Sequence, residues 1–205
     1  MLFRSNLLPN YSVFDEERYF TPGDDARDAA TIYRIGGALV GVTICEDIWS
    51  PVGPVSAQAR AGASLAVSIN ASPFHRGRLD ERTAMIAERA KSTGCAVAYV
   101  NQMSGQDELV FDGGSFVVDP RGVVRHRAAA FEEDILLVEI EGATSHAEPR
   151  EPWPDDLGGV YRALLLGLGD YVRKNGFRGV VLGMSGGVDS ALVATLAVEI
   201  GRAHV

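Results

Sequence analysis

Two stretches of this sequence put reactive side chains at the end of an apolar run. In the first, residues 38–44 are apolar and β-branched and stop at Cys45-Glu46-Asp47. A thiol at the lip of a buried strand is held by a rigid element yet opens onto a cleft, the place for a nucleophile. The paired carboxylates suit a substrate ammonium or a neighbouring cation. A buried structural thiol beside a solvated acidic turn fits the same local pattern. In the second stretch, Val180-Val-Leu-Gly-Met-Ser-Gly-Gly-Val-Asp-Ser190 reads as a strand, a glycine-rich turn and a helix start. Gly186 and Gly187 carry no Cβ, so the backbone of Gly183, Met184, Ser185, Gly186, Gly187 and Val188 can close on phosphate oxygens, with the helix N-terminus adding a positive dipole end. Ser185 and Ser190 supply hydroxyls. Asp189 suits a Mg²⁺ that bridges the phosphates, because this ion favours a carboxylate plus phosphate oxygens. No Gly-Lys-Ser/Thr is present, so the turn is not a Walker loop.

The elements around these stretches alternate. Residues 32–35 and 38–44 flank Gly36-Gly37, a hairpin signal. Residues 7–20 lack a period and read as a structured loop, and residues 22–25 as a turn. Pro51 and Pro54 open a loop; residues 56–63 suit a helix that stops at Gly62. A buried strand is predicted over 65–69, running into Asn70-Ala-Ser-Pro-Phe74. The strongest helix is 79–93, with Arg, Glu and Lys read as one face and Ala, Met and Ile as another, and Gly94 as its stop. Strands are expected at 95–101 and 134–140, a polar loop at 105–114, and a hairpin of 115–119 with 123–126 across Pro120-Arg-Gly122. Residues 141–154 break the composition. Beyond them, 157–175 is helical, 179–184 a strand and 190–199 a helix. The order suits a layered α/β sandwich followed by the start of a doubly wound domain.

The composition, 46% hydrophobic and 22% charged over 205 residues, allows one or two domains with a real core. A net charge of -8 argues against a nucleic-acid or membrane-surface role, leaving small molecules as expected partners. No apolar run approaches the roughly 18 residues of a membrane span, and no signal peptide is visible. Two cysteines form no disulfide framework, so a reducing, cytoplasmic setting is expected. Cys95, in Ala-Val-Ala-Tyr-Val, reads as a core thiol. His75, His126 and His146 lack metal-ligand spacing and read as surface or loop residues, and His204 as part of an added end. Residues 1–5 and 200–205 match the translation of a sequencing adapter and its reverse complement, so both ends are expected to be extraneous and the native span to be about 6–199.

The residues carry two family resemblances. Ser185-Gly-Gly-Val-Asp-Ser190 resembles the pyrophosphate-binding loop of the ATP pyrophosphatases, which adenylate a substrate oxygen. Ile44-Cys-Glu-Asp47 resembles the nucleophile motif of the nitrilase, or carbon-nitrogen hydrolase, superfamily, which uses a Glu-Lys-Cys triad. In that superfamily's glutaminases the lysine precedes Leu-Pro-x-Tyr; here Leu8-Pro9-Asn10-Tyr11 is present and the lysine position falls on Ser5. The base glutamate would lie further upstream. The succession of the two motifs, with Asp107-Glu-Leu-Val-Phe-Asp-Gly113 and Tyr171-x-x-Lys-Asn-Gly-Phe177, resembles the family of glutamine-dependent NAD⁺ synthetases.

That resemblance implies a partial nitrilase-like αββα sandwich over 1–140, a linker over 141–156, and the first strand, loop and helix of a Rossmann-like ATP-pyrophosphatase domain over 157–205. It implies Cys45 as the nucleophile on glutamine, and Tyr11, Glu46, Ser72 and Arg78 as glutamine-binding residues. ATP and Mg²⁺ fall to Gly183 to Ser190, with deamido-NAD⁺ as the acceptor and a homo-oligomeric parent. On residue chemistry alone Tyr11 is equally a loop anchor, Ser72 a turn former, Arg78 a helix cap and Glu46 structural. Glu16 is either an auxiliary active-site acid or a surface one. A stand-alone amidase is the alternative function. The helix after 157 is expected to expose an apolar face with nothing to cover it.

Overall fold

The computed structural model describes residues 5–23, 29–141, 144–145 and 152–202. Asp24 and Asp25 of the expected turn, most of the expected linker, His146 and His204 lie outside them.

A six-stranded mixed sheet organises the first part of the chain. Strands β1 (Ile32–Ile35) and β2 (Ala38–Ile44) form the expected hairpin, with Gly36 and Gly37 at φ +54° and +88°. β2 then runs parallel to β3 (Leu65–Asn70), and β3 parallel to β4 (Ala96–Asn101). Helix α1 (Pro54–Arg60) connects β2 to β3, and α2 (Arg78–Thr93) connects β3 to β4. α1 begins at Pro54, two residues before the expected start. Proline has no N–H to lose in a first turn, so it opens the helix rather than the loop. α2 ends where predicted, with Gly94 in the left-handed region at φ +70°.

A hairpin replaces the polar loop expected over 105–114. β5 (Met103–Gln106) pairs with β6 (Leu109–Asp112) across a tight turn in which Asp107 adopts φ +51°. An aspartate tolerates that conformation better than most residues, which is how a polar tip closes two strands. β7 (Phe116–Val118) and β8 (Val124–Arg127) complete the main sheet in the order β1-β2-β3-β4-β7-β8. The strand expected over 134–140 is not formed: only Ile140–Glu141 (β9) pairs, with Thr144–Ser145 (β10). Ile135 and Leu137 are 87% and 89% exposed, so the apolar alternation there has no sheet edge to satisfy it.

The core lies between one face of the sheet and the two helices. Ala66, Val97, Tyr99, Phe116 and Val118 from the strands meet Val55 of α1 and Ile86 and Ala90 of α2. Tyr99 stacks on Phe116 at 5.1 Å. Trp153 closes the far side. Its ring meets Phe116 edge-on at 5.7 Å, its indole N–H donates to the Ala128 carbonyl at 2.9 Å, and the Arg127 guanidinium lies over it at 4.8 Å. The last residues of the expected linker are therefore part of the core. His126, expected at the surface, is 7% exposed on β8, because the strand turns it inward. Cys95 is the expected core thiol, donating to the Ala63 carbonyl at 2.9 Å.

Helix α3 (Asp156–Lys174) lies on the β5–β6 hairpin, which corrects the expectation of an uncovered face. Gly159, Ala163 and Gly169 are its buried residues, although Leu157 and Leu164 remain 74% and 45% exposed. The helix is capped by Asp155, whose carboxylate accepts the Gly158 N–H at 2.7 Å. Helix α4 (Val188–Arg202) follows and continues through residues 200–202. Residues 179–184 are not in a strand. No other strand among the described residues runs beside them, and a strand without a neighbour leaves its ladder groups unpaired.

The docking of α3 turns on two glycines. A Cβ at Gly105 would come within 2.9 Å of the Gly167 Cα and 3.2 Å of the Leu166 carbonyl. The Gly105 N–H donates to Asp170 at 2.8 Å, and Lys174 donates to the Gly105 carbonyl at 2.5 Å. Gly105→Val should therefore lift α3 off the hairpin, at a cost of about 1–3 kcal/mol. Limited proteolysis should then cut within 156–174 faster than in the unmodified chain, and an unchanged cleavage pattern would contradict this contact.

Candidate functional site

The end of β2 makes a sharp elbow. Cys45 stands at φ +41°, an uncommon conformation for a side chain bearing a Cβ, and opens a short 3₁₀ turn over Cys45–Ile48. Such a conformation persists only when its surroundings over-determine it. Two anchors do so here. The first is Asp47, fully buried: one carboxylate oxygen accepts the Ile44 N–H at 3.1 Å, and the other accepts Asn6 N–H at 2.8 Å, Leu7 N–H at 2.9 Å and the Ser5 hydroxyl at 3.1 Å. Asp47 thus ties the N-terminal segment to the elbow and does not present itself to a substrate. The second is Arg89 of α2, which donates to the Ile48 and Trp49 carbonyls, both at 3.0 Å.

Cys45 lines a cavity of about 460 Å³ with Ser5, Leu8, Pro9, Phe14, Glu16, Glu46, Asn70, Ala71 and Asn101 among its walls. Ser5 and Glu16 therefore both reach the surroundings of Cys45, and the acid at position 16 is no remote surface group. The chain's two lysines, Lys91 and Lys174, are on the last turns of α2 and α3 and neither lines this cavity. Burial pushes the Cys45 thiol above the ordinary range; the Ala71 backbone N–H that it accepts works against this, Glu46 adds to it, and Arg78 and Arg82 oppose it.

Tyr11 donates its hydroxyl to Glu46 at 2.7 Å, and both line an adjoining cavity. Burial first, and then this bond to Glu46, hold the phenol up at about 12, so it stays a donor at neutral pH. Arg78 opens α2, packs its guanidinium over the Trp49 ring at 4.2 Å and pairs with Glu81 at 3.1 Å. Ser72 is 2% exposed; its hydroxyl accepts from Arg82 at 3.2 Å and its N–H donates to Asn101 at 3.0 Å. Cys45, Glu46, Tyr11 and Arg78 thus cluster around the elbow, whereas Ser72 belongs to the wall behind it.

The arginines of α2 were the residues least visible in the sequence. Read as part of a solvated face, Arg82 and Arg89 are in fact 0% and 8% exposed. They share one stripe with Ile86 and Ala90, at helical spacing i, i+4, i+7, i+8, and this spacing was the available signal.

The second stretch lies apart from this cavity. Ser185 and Ser190 hydroxyls approach at 3.1 Å, the Gly187 N–H donates to Ser185 at 3.4 Å, and the Ser190 hydroxyl donates to the Gly187 carbonyl at 3.0 Å. Gly186 adopts φ +84°. Gly183, Met184, Val188 and Asp189 are exposed, with Asp189 in the first turn of α4. Among the described residues no group of three His, Cys, Asp or Glu side chains gathers for a metal ion, and no helix is long and apolar enough to cross a membrane.

Residues 1–147 match the carbon-nitrogen hydrolase family, and residues 160–205 match NAD synthase. The first match covers most of the chain, and the chain belongs to the carbon-nitrogen hydrolase family. It is 41% identical to the glutamine-dependent NAD(+) synthetase of Aquifex aeolicus, over all of this chain and 41% of the relative. It is 45% identical to that of Xanthomonas campestris, over 96% of this chain and 36% of the relative. The chain thus spans about two fifths of the curated relatives it matches. The solved glutamine-dependent NAD+ synthetase of Acinetobacter baumannii, in complex with ADP, superposes with a TM-score of 0.90 at 36% identity, over 96% of this chain and 37% of that one. A carbon-nitrogen hydrolase from Helicobacter pylori, 23% identical, shares the fold with a TM-score of 0.58 over 63% of this chain and 48% of its own.

The buried elbow predicts a slow thiol. Alkylation of Cys45 by iodoacetamide, followed by mass spectrometry, should run slower at pH 7 than that of free cysteine. It should still be rising above pH 9. A profile levelling at or below the ordinary midpoint of about 8.5 would contradict the reading of this environment.

Proposed function

We propose that this chain is the central portion of an enzyme that makes NAD⁺ with glutamine as nitrogen donor. The observation that carries the reading is the succession, in one chain, of a strained cysteine elbow in a carbon-nitrogen hydrolase fold and a Ser-Gly-Gly-x-Asp-Ser turn in the segment matching NAD synthase. That second segment weighs against a stand-alone amidase, which has no use for a phosphate loop.

In this reading the Cys45 sulfur attacks the side-chain amide carbon of glutamine, forming a thioester as ammonia leaves. Water then hydrolyses the thioester to glutamate. The Glu46 backbone N–H stabilises the oxyanion. Arg78 pairs with the substrate's α-carboxylate, and Glu46, oriented by Tyr11, holds its α-ammonium, while the buried Ser72 stays in the wall behind the elbow. At the second site ATP adenylates the carboxylate of deamido-NAD⁺ and pyrophosphate departs. Ammonia displaces AMP from the adenylate to give the amide. The turn from Gly183 to Ser190 holds the phosphates through backbone N–H groups and the Ser185 and Ser190 hydroxyls. Asp189, a single carboxylate beside those hydroxyls, suits a Mg²⁺ carried in with the nucleotide, an ion that keeps water and phosphate ligands and neutralises phosphate charge.

Two substitutions in the full-length protein separate the halves. Cys45→Ala should abolish synthesis from glutamine and leave synthesis from free ammonia within about twofold, since ammonia bypasses the thiol. Asp189→Ala should remove synthesis from either nitrogen source by about 100-fold or more, with glutamine hydrolysis retained. Comparable loss of both activities in Cys45→Ala would count against the assignment. These fold-changes correspond to the scale of losing one catalytic or charge-stabilising group.

The 205-residue chain itself should release no ammonia from glutamine, because no lysine lines the Cys45 cavity and the thiol is held in its neutral form by burial. Turnover matching that of a complete glutaminase would show that Glu16 or Glu46 activates the thiol unaided.

A further inference from the structure

Arg78 meets the elbow through Trp49 with one edge of its guanidinium uncommitted. Nη1 donates to Glu81 at 3.1 Å. Nε is buried, and no acceptor meets it among the described residues. Nε and Nη2 form the edge of the fork that takes a carboxylate by two parallel bonds. A buried donor without an acceptor is costly, so this edge asks for a partner. The carboxylates of Asp80 and Asp156 line the same cavity of about 390 Å³ as Arg78. Neither is that partner: Asp156 is taken by Arg76 at 3.0 Å, and the ion pair of Arg78 is with Glu81. What holds the guanidinium is the face of the Trp49 ring, 4.2 Å away. Trp49 is itself held at both ends of its backbone. Its N–H donates to the Glu46 carbonyl at 3.0 Å, and its carbonyl accepts from Arg89 at 3.0 Å, while its side chain packs against the buried core.

We propose that Trp49 is a positioning residue for recognition of the substrate's amino-acid head: its ring face sets the Arg78 guanidinium at a fixed separation from the Glu46 carboxylate and leaves Nε and Nη2 for the α-carboxylate. The proposal rests on the reading of Cys45 as nucleophile on glutamine and deepens it. It names what selects the substrate class, amides that carry a free α-carboxylate beside an α-ammonium. Glu46 and Trp49 lie on one short turn and are joined by a hydrogen bond, so the anion for the ammonium and the platform for the cation move together. Tyr11 holds the Glu46 carboxylate from the N-terminal segment at 2.7 Å. A planar guanidinium stacked on a ring spends its face on the ring and keeps its rim for hydrogen bonds. An aliphatic side chain at position 49 offers no such face, and the guanidinium is then free to turn toward Asp80 in the cavity they share.

The test measures glutamine hydrolysis by the full-length protein. Trp49→Leu should raise the KM for glutamine about tenfold while kcat falls less than about threefold, the scale of one partly desolvated cation–ring contact. Trp49→Phe keeps a ring face and should bring KM back to within about threefold of the unmodified protein. Arg78→Leu should raise KM further, and adding Trp49→Leu to it should change KM by less than about twofold, because the ring acts only through the guanidinium. A folded Trp49→Leu protein with the original KM overturns the proposal. So does an equal KM penalty from Trp49→Leu with and without Arg78, which would make the ring a packing element. If Trp49→Leu does not fold, a ring-fluorinated tryptophan at position 49 alone decides, since it keeps the shape and weakens the negative ring face. KM should then rise severalfold, and an unchanged KM overturns the proposal. Cys45→Ala checks the underlying reading separately: hydrolysis retained in that variant would overturn the nucleophile assignment and the proposal with it, whereas its loss beside a normal KM in Trp49→Leu overturns the proposal alone.

Discussion

Main-chain carbonyls taken by buried guanidinium groups of α2 are the constraint on which this fold's working end depends. The loops leaving β2 and β3 each turn away from a parallel sheet with carbonyls that no ladder satisfies. Arg89 takes two of them after β2 and Arg82 takes two after β3. Arginine alone presents enough donors in a fixed plane to do this from one position, and it cannot shed its charge to escape burial. The Asp112 carboxylate balances the deeper of the two. Burying such a pair gives little net stability, but it specifies geometry, since any displacement leaves several groups unpaired at once.

The elbow shows the same logic on a smaller scale. A cysteine in the left-handed region costs on the order of 1–3 kcal/mol, and the turn stays closed because Asp47 collects four donors from two segments 40 residues apart in the chain. Remote residues therefore set the angle at which the sulfur meets its cavity.

The main sheet is apolar on both faces. Gly41, Ala66 and Val97 point to the helices, while Ile44, Ile69 and Val100 form a row on the opposite face and are 36%, 53% and 47% exposed. Parallel strands with this character belong to sheets covered on both sides. Residues 179–184 carry a strand-forming sequence with no strand beside them among the described residues. Both features have one physical origin: a sheet surface and a strand edge are satisfied only by other chain segments. The α3 helix, by contrast, finds its partner in the β5–β6 hairpin. Gly105 and Gly167 allow backbone to approach backbone there, and the two parts of the chain matched to different families become joined.

Period-2 runs and glycine stops were enough to locate β1, β2, β3, β4 and the C-terminal ends of α2 and α3, because local hydrogen-bonding and rotamer preferences agree with the fold in those segments. The position of Cys45 at the end of its strand and the glycine-rich turn ahead of α4 were legible for the same reason: both are written in contiguous residues. Four features were not. The β5–β6 hairpin forms because α3 packs on it, and its polar tip hides two short strands. The expected strands at 134–139 and 179–184 have the right side chains but no strand beside them among the described residues. Asp47 reads as a substrate-facing acid and becomes a buried clamp, and Arg82 and Arg89 read as solvent-facing charges and become the deepest cations. In each case the deciding partner lies far away in the chain, and a buried charge or an unpaired strand is settled only by which distant backbone groups the tertiary structure brings to meet it.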